Sequence, residues 1–326
     1  MDLNAVIIDR RCSMTAVKIA LLGAGNHSRR NHLPALALYA QEHPDAVDLV
    51  ALCDRRGEVA REAAREYGFA RAYTDLGQML EREQPAGCIA VTPIDQTLSI
   101  TRQIIEAGVP LLMEKPPGAN LDQARQIVEL VAQHDVRVMV SVNRRFDLAL
   151  QEALRHRGDR PLQYLRATMA RNRRVESDFI HGTAIHLVDA MRHIAGEVGH
   201  YQGRVQTVDG VRWYVGRLAF VGGVEGTLEV LPTAGYQAEE YVLSGADYTI
   251  AARVAELDTG AVRVWERGEL VVDEPVAPLQ PEFVRCGAYG ETAEFMAALQ
   301  EGRPPQPGPA DVLPSVEICD ALGQLD

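Results

Sequence analysis

The stretch from residue 17 to residue 36, VKIALLGAGNHSRRNHLPAL, constrains the fold more strongly than any other part of the chain. Its first residues, Val17–Leu22, are almost all apolar, which is typical of a strand covered by helices on both faces. Gly23-Ala24-Gly25 then predicts a sharp turn, and apolar residues at helical spacing follow from Ser28 to Tyr39. This order of strand, glycine turn and helix predicts the first half of a unit that binds a dinucleotide.

The glycine turn also predicts which residues contact such a ligand. Gly23 permits the tight turn, and Gly25 lets a pyrophosphate approach bare backbone at the start of the helix. Asn26 and His27 follow directly, so we expect all four residues to lie against the cofactor. The third position of the usual fingerprint is Ser28 instead of glycine, which weakens the signal.

A second apolar run, Val47–Cys53, predicts a neighbouring buried strand that is followed by Asp54. A carboxylate at this position would bind the ribose hydroxyls of the adenosine and repel a 2′-phosphate, so NAD is favoured. Arg55 and Arg56 follow immediately and could bind that phosphate, which leaves NADP possible. The alternative is a turn aspartate beside two solvated arginines.

Strands and helices alternate up to about residue 143, which predicts an α/β fold with an N-terminal doubly wound parallel sheet of the Rossmann type. In such sheets, ligands bind beyond the carboxyl ends of the strands. Besides Asp54, the residues that we expect to bind cofactor at those ends are Thr92, Pro93, Glu114, Lys115 and Asn143. This domain is predicted to span residues 16–143, after an N-terminal extension of residues 1–15.

The pattern changes after about residue 150, where many predicted strands follow one another with few helices between them. Such a run argues for a mostly antiparallel sheet. We therefore predict a C-terminal α+β domain, residues 144–326, whose large open sheet serves substrate binding and oligomerisation. One helix, Gly182–Ala195, interrupts the strands, and the last predicted helix, Asp311–Leu322, could pack back on the first domain.

Charge and cysteine content exclude several classes of protein. The formal net charge of −12 argues against nucleic acid or an anionic membrane surface as a partner. The five cysteines are scattered and lack Cys-x-x-Cys spacing, which predicts no disulfide framework or zinc knuckle and suits the cytoplasm. No apolar run is long enough to span a bilayer. We expect residues 1–13 to be a short extension, or translation to start at Met14.

Several motifs together resemble the Gfo/Idh/MocA oxidoreductases, a family named after glucose-fructose oxidoreductase, inositol dehydrogenase and a rhizopine-catabolism protein. The resemblance extends over residues 16–326, and its motifs are the glycine turn, Thr92-Pro93, Glu114-Lys115-Pro116, Asn143-Arg144-Arg145-Phe146, His186-x-x-Asp189 and the closing Phe295…Gly302-Arg303-Pro304-Pro305 segment. It implies a Rossmann domain, a second domain with an open sheet, bound NAD or NADP and a sugar or polyol substrate. Because such sheets commonly pair between subunits, it also implies a homodimer or homotetramer.

Oxidation of a secondary alcohol requires a base for the hydroxyl proton while a hydride leaves the carbon. We predict that Lys115 serves here, because a neighbouring nicotinamide cation would favour its neutral amine and its ammonium would stabilise an alkoxide. In the family, the matching lysine plays such a part. His186 and Asp189 would share one helix face, so His186 is predicted to transfer a proton and Asp189 to orient its imidazole. The alternatives are a solvated lysine and a structural histidine.

Further polar residues are candidates for holding the substrate. Together with Lys115 and His186, they are Arg145, Arg171, Asp178 and His181. Arg171, with Arg173 and Arg174, could hold a carboxylate or phosphate, or could belong to a solvated charged loop.

The segment before His186 departs from the family pattern. Dehydrogenases of the family often carry an aspartate four residues before the histidine, where this chain has Gly182. Asp178, His181 or Asp189 would have to replace that carboxylate. The departure leaves room for a non-redox overall reaction on tightly held NAD, such as glycoside cleavage or epimerisation.

Two other functions stay open on the sequence. His181, His186, Asp189 and His193 could be metal ligands of a hydrolase or isomerase, but nothing else has metal-ligand spacing, and we predict no metal site. A non-catalytic regulator that responds to NAD(P) would keep the glycine turn without needing Lys115 or His186.

Overall fold

The computed structural model describes residues 16–255 and 259–325. Within these ranges the chain forms two sheets, one parallel and one mostly antiparallel. The predictions about residues 1–15, both the extension and a translational start at Met14, lie outside the described residues.

The first sheet contains six strands, all of them parallel to their neighbours. They are β1 (Val17–Leu22), β2 (Val47–Cys53), β3 (Arg71–Tyr73), β4 (Gly87–Ala90), β5 (Leu111–Glu114) and β6 (Val138–Ser141). Their order is β3-β2-β1-β4-β5-β6, so β2 and β3 are added on one side of β1 and the later strands on its other side. The order of the strands therefore reverses at the position between β1 and β4. The predicted doubly wound parallel sheet is confirmed, and ligands bind at such a reversal point.

Helices connect these strands. They are α1 (Asn26–Arg30), α2 (His32–Glu42), α3 (Gly57–Tyr67), α4 (Leu76–Glu83), α5 (Thr97–Glu106) and α6 (Leu121–His134), with 3-10 turns at Ile94–Gln96 and Asn143–Phe146. The single helix predicted over Ser28–Tyr39 is wrong, because the chain breaks at Asn31. Pro34 explains the break: it has no N–H to donate to residue 30 and its ring clashes with that carbonyl, so it is tolerated only in the first turn of α2.

The second sheet contains eight strands. They are β7 (Tyr164–Ala170), β8 (Val198–Val208), β9 (Val211–Phe220), β10 (Glu225–Leu231), β11 (Ala238–Gly245), β12 (Tyr248–Arg253), β13 (Ala261–Glu266) and β14 (Glu269–Pro275). Their order is β14-β13-β12-β11-β7-β10-β9-β8, and every pair is antiparallel except β7 and β10. The predicted mostly antiparallel sheet is therefore confirmed, and β14 at its edge was not predicted.

The remaining helices cover the second sheet or return to the first. They are α7 (Leu148–Arg157), α8 (Phe179–Gly182), α9 (Ile185–Ala195), α10 (Glu282–Arg285), α11 (Ala288–Glu301) and α12 (Pro309–Gly323). The helix predicted from Gly182 starts at Ile185 instead, after the separate turn of α8. α12 packs against α6 and β6 as well as α9 and β8, and α11 packs against α2. The predicted domain boundaries stay predictions. Among the described helices, none has the length and apolar character that crossing a membrane requires.

Candidate nucleotide and substrate site

The turn after β1 is built so tightly that only glycine fits its first position. Gly23 has a φ of +92°, and a Cβ there would lie 2.0 Å from the carbonyl oxygen of Val91. The Gly23 N–H donates to the carbonyl of Cys53, and the Ala24 N–H donates to Asp54 Oδ2 at 3.0 Å. The turn is thus fixed against the ends of both neighbouring strands, β2 and β4.

The second glycine of the turn faces open space. A Cβ at Gly25 would meet no atom within 4 Å, and Gly25 lines a cavity of about 460 Å³. The first hydrogen bond inside α1 runs from the Arg29 N–H to the Gly25 carbonyl, so the three N–H groups before Arg29 have no acceptor within the helix. Bare backbone donors beside an open cavity fit the diphosphate of a dinucleotide.

The large cavity joins the carboxyl ends of β1, β4 and β5 to the segment before α9. Its lining residues are Gly25, Asn26, His27, Ser28, Val91, Thr92, Pro93, Ile94, Glu114, Lys115, Pro116, Arg174, Glu176, Asp178, Gly182 and Thr183. Most of the predicted cofactor residues, together with Asp178, therefore surround one space. Sequence reasoning missed Glu176 and Thr183, which lie in an irregular segment without a pattern of their own.

Asp54 lies buried beside the glycine turn with both carboxylate oxygens occupied. Besides the Ala24 N–H, it accepts bonds from the backbone and the guanidinium of Arg56, with side-chain distances of 2.9 and 3.0 Å. Burial alone would raise the pKa of Asp54, but these hydrogen bonds outweigh it and lower the pKa to about 2. Asp54 is therefore an ionised group that organises the turn, while Arg55 is exposed.

Lys115 follows β5 and reaches across to the other half of the molecule. Its Nζ donates to the carbonyl of Gly182 at 2.8 Å. A Cβ built at Gly182 would lie 3.6 Å from Asp178 Oδ2, so the Asp178 carboxylate occupies the space next to that position. Position 182 carries no carboxylate of its own, but the Asp178 carboxylate from the preceding turn lies next to it.

A second, much smaller cavity of about 20 Å³ lies behind Lys115. It is lined by His27, Asn31, His32, Glu114, Lys115, Ser141, Asn143, His186, Ala288 and Glu291. The two residues predicted to transfer protons, Lys115 and His186, therefore lie around the same space although they come from different halves of the chain. Neither His32 nor Glu291 was predicted, because each looks like an ordinary helix residue in the sequence.

Glu114 is a buried carboxylate held by two histidines. His27 Nε2 and His32 Nε2 lie 2.9 and 2.5 Å from the same oxygen, Oε1. Asn31 Oδ1 accepts from the thiol of Cys286, so the Asn31 amide N–H₂ donates to His27 Nδ1, which leaves the proton of His27 on Nε2. Burial alone would raise the pKa of Glu114, but His27 and His32 lower it well below its usual value.

The same three side chains are a possible ligand set. Among residues 16–255 and 259–325, His27, His32 and Glu114 are the one group whose donor atoms all lie within 4.8 Å of one another. Both imidazoles already bond directly to the carboxylate oxygen, so the three groups satisfy one another. We therefore assign them as a hydrogen-bonded cluster.

The carboxylate of Asp189 is held by Arg145 and Ser315, and its predicted role in orienting His186 stays a prediction. Its fully buried carboxylate accepts two bonds from the guanidinium of Arg145, both at 2.8 Å, and one from Ser315 Oγ at 3.1 Å. A bidentate guanidinium is the stronger partner for a buried carboxylate. Arg145 thereby holds α9 to the end of the first sheet, and its predicted role in binding substrate stays a prediction.

Arg171 is likewise structural and does not reach the large cavity. It donates to Glu239, which also accepts two bonds from Arg144 at 2.8 and 2.9 Å, and all three residues are buried. Burial alone would raise the pKa of Glu239, but Arg144 and Arg171, with a smaller contribution from His186, lower it well below its usual value. This cluster lies near His186, which contributes to the lowered pKa of Glu239.

The other predicted residues are dispersed. His181 Nε2 lies 3.4 Å from the Cβ position of Gly323, near the end of α12. His193 lines a separate cavity with Arg192 and Glu197. Asn143 donates to the carbonyl of Cys286 at 2.8 Å. The four α8–α9 residues considered as metal ligands therefore do not converge within the described part of the chain.

Comparison with known proteins agrees with this fold. A family model described as "Oxidoreductase family, NAD-binding Rossmann fold" matches residues 17–142. D-apiose dehydrogenase from Paraburkholderia graminis is 33% identical over 150 residues, which cover 46% of this chain and 38% of that protein. 4-Carboxy-2-hydroxymuconate-6-semialdehyde dehydrogenase from Sphingobium is 24% identical over 95% of this chain and 98% of its own length. A dehydrogenase structure from Chromobacterium violaceum superposes with a TM-score of 0.83 at 20% identity and covers 94% of both chains.

The glycine turn and the parallel sheet define a Rossmann fold, and residues 17–142 are similar to the NAD-binding domain that this family model describes. Over residues 17–142 the chain is similar to the Gfo/Idh/MocA oxidoreductases.

Proposed function

We propose that this protein is an NAD(P)-dependent oxidoreductase that transfers a hydride between the coenzyme and a secondary hydroxyl or keto group of a sugar, polyol or sugar-derived substrate. One observation carries the proposal: Lys115 lines both the large cavity beside the glycine turn and the small cavity that His186 lines. A proton-transferring amine therefore lies where a coenzyme on the glycine turn and a substrate would meet.

The residues of the chain supply the binding and proton-transfer steps. Gly23 and Gly25 would hold the diphosphate, and the end of β4 at Thr92 would line the coenzyme. When bound, the nicotinamide coenzyme accepts or supplies the hydride. Lys115 takes the hydroxyl proton as an amine, or stabilises the developing alkoxide as an ammonium. His186 is the second group that can move a proton there.

A polyhydroxylated substrate suits the far wall of the large cavity. Arg174, Glu176, Asp178 and Thr183 line it, which gives both donors and acceptors for hydroxyl groups. The name of the D-apiose dehydrogenase relative supports a sugar. The matching experiment is a panel of pentoses, glucosides, polyols and one hydroxy acid with NAD⁺ or NADP⁺, followed by absorbance of the reduced coenzyme. Reduction with a sugar supports the proposal.

The same experiment separates the alternatives. Tightly bound NAD with a cleaved or epimerised sugar and no net reduction would support the non-redox reaction. Coenzyme binding without any turnover would support the regulator, and absence of both binding and turnover would contradict the proposal.

We propose NAD as the preferred coenzyme. Asp54 is ionised beside the turn, and Arg56 is paired with it, so a 2′-phosphate would meet a carboxylate and would have to draw Arg56 away. We expect NAD⁺ to bind at least roughly tenfold more tightly than NADP⁺, which corresponds to about 1.4 kcal/mol. Fluorescence titration with both coenzymes measures the ratio, and equal or reversed affinities would contradict the expectation.

Asp178 is expected to act on the substrate in place of a carboxylate at position 182. We expect Asp178→Ala to lower kcat/KM by roughly a hundredfold, the low end of what a positioned acid–base group contributes. Gly182→Asp in that background is expected to recover part of the loss, because a side chain at Gly182 meets only Asp178 and at ordinary contact distance. No recovery, or an equal loss of NAD⁺ affinity in Asp178→Ala, would contradict this role.

We also propose a cytoplasmic homodimer or homotetramer that pairs through the second sheet. The four described cysteines are free and buried, which suits a reducing compartment. Tyr164 and Val215 expose apolar surface on strands β7 and β9. Light scattering after size exclusion is expected to give twice or four times the chain mass, and a monomer would contradict the proposed oligomer.

A further inference from the structure

Glu291, on α11, is a carboxyl group that the reaction proposed above does not use. Its side chain is fully buried, and Oε2 accepts a hydrogen bond from Ser141 Oγ at 2.9 Å. Among the described residues, Oε1 has no hydrogen-bond partner. Burial raises the pKa of Glu291 well above its usual value, and the nearby Glu114 carboxylate raises it further. These surroundings therefore favour the neutral, protonated form of Glu291.

Glu291 and Lys115 line the same small cavity. The small cavity of about 20 Å³ lies between them, and a space of roughly 10–15 Å³ is enough for one water molecule. The charged and titratable groups that face Glu291 across this space or from packed elements are His27, His32, Glu114, Lys115, Arg144 and His186, and its polar neighbours are Ser141 and Asn143. His27, Glu114 and Lys115 line both cavities, and Lys115 is the amine among them.

The surroundings shift the pKa values of the two buried carboxyls of this cavity in opposite directions. Glu114 is held as a carboxylate by His27 and His32, whereas Glu291 has only the neutral Ser141 as a hydrogen-bond donor. Carboxyl pairs whose surroundings separate their pKa values in this way commonly divide proton-transfer roles between them. Glu114 is therefore a fixed charge, and Glu291 is the one of the two that can exchange a proton.

We propose that Glu291 is the proton-exchange partner of Lys115 across the small cavity. This inference rests on the proposed function of Lys115. When the substrate carbonyl is reduced, the Lys115 ammonium gives its proton to the substrate oxygen and becomes an amine. Glu291 then passes its proton to that amine through the cavity and becomes a carboxylate, which takes a proton from solvent. Alcohol oxidation runs through the same transfers in reverse, and one proton is released to solvent with each hydride transferred.

The composition of the chain allows a test that needs neither coenzyme nor substrate. Lys18 and Lys115 are its only two lysines, and Lys18 is exposed on β1. Brief labelling with acetic anhydride over a series of pH values, read by peptide mass spectrometry, gives the midpoint at which each amine becomes reactive. Lys18 serves as the internal reference in every sample.

Glu291→Gln keeps the shape of the neutral acid and removes its proton exchange. As the pH rises and Glu291 gives up its proton, its carboxylate would stabilise the Lys115 ammonium. Gln cannot supply that charge, so the midpoint of Lys115 labelling is expected to fall by about one pH unit, while that of Lys18 stays unchanged. Ser141→Ala removes the bond to Oε2 and is expected to shift the Lys115 midpoint in the same direction by less. If Glu291→Gln fails to fold, the labelling midpoint of Lys115 in Ser141→Ala serves as the test instead.

Glu294→Gln is the matched control, because it removes a carboxylate from the same helix that pairs with Arg303. Its Lys115 midpoint is expected to equal that of the unaltered protein. An unchanged Lys115 midpoint in Glu291→Gln, or an equal shift in Glu294→Gln, would overturn the proposal. Failure of the sugar panel would refute the proposed function instead and would leave the labelling result standing.

Discussion

Lys115→Met is expected to lower kcat by roughly 10²- to 10⁴-fold, the range that a positioned acid–base group contributes. The variant loses both the amine that takes the hydroxyl proton and the ammonium that stabilises the alkoxide. Coenzyme affinity is expected to stay within about twofold, because the glycine turn and Asp54 are fixed by contacts that do not include Lys115. Steady-state rates with an active sugar and NAD⁺ titration measure the two effects separately.

Two control variants sharpen this result. Lys18→Met removes the other lysine of the chain, which is exposed, and is expected to leave kcat unchanged. Lys115→Arg keeps a cation that does not lose its proton at working pH, so it separates electrostatic stabilisation from proton transfer. Full activity in Lys115→Met would refute the assignment of Lys115, and substantial activity in Lys115→Arg would restrict its role to charge.

Glu239→Gln is expected to lower the free energy of unfolding by about 3–5 kcal/mol, the usual cost of breaking a buried ion pair. Glu239 is the shared acceptor of Arg144 and Arg171, and its loss leaves two buried guanidinium ions without a counter-charge. Chemical denaturation measures the change. Glu240→Gln is the matched control, since Glu240 is the next residue and pairs with half-exposed Arg166 at 3.7 Å. Its expected cost is at most about 1 kcal/mol.

The effect of Glu239→Gln also has a predicted pH dependence. The pKa of Glu239 in the folded protein is lowered below its unfolded value, so the carboxylate stabilises the fold at every pH above the unfolded pKa of about 4.3. This stabilisation is lost as the pH falls from there toward the folded pKa. The difference between the two proteins is therefore expected to shrink below about pH 4, and a difference that grows in acid would contradict the assignment.

Local signals in the sequence were sufficient for the first sheet. Buried strands such as Leu111–Glu114 appear as short apolar runs, and glycine is required where Gly23 meets the Val91 carbonyl. The break between α1 and α2 was missed, although Pro34 marks it, because proline cannot continue a helix from residue 30.

Pairing over long distances in the sequence could not be predicted in the same way. A charged residue that becomes buried needs a partner of opposite charge, but the sequence does not show which residue that partner is. Arg145 and Asp189, or Arg144 and Glu239, meet only after both halves have folded. The near absence of lysine is a signal that was available, since a chain with 33 basic residues keeps only Lys18 and Lys115. At Lys115 it retains an amine that can lose its proton, unlike arginine.

The bond from Lys115 Nζ to the Gly182 carbonyl has a consequence for ligand entry. A substrate oxygen that reaches the ammonium must replace that carbonyl, and the exchange of one acceptor for another is nearly neutral in free energy. Occupation of the cleft therefore breaks the hydrogen bond by which Lys115 joins its two walls, and the bond forms again when the product leaves. Opening of the molecule and filling of the cleft are thereby linked through a single nitrogen atom.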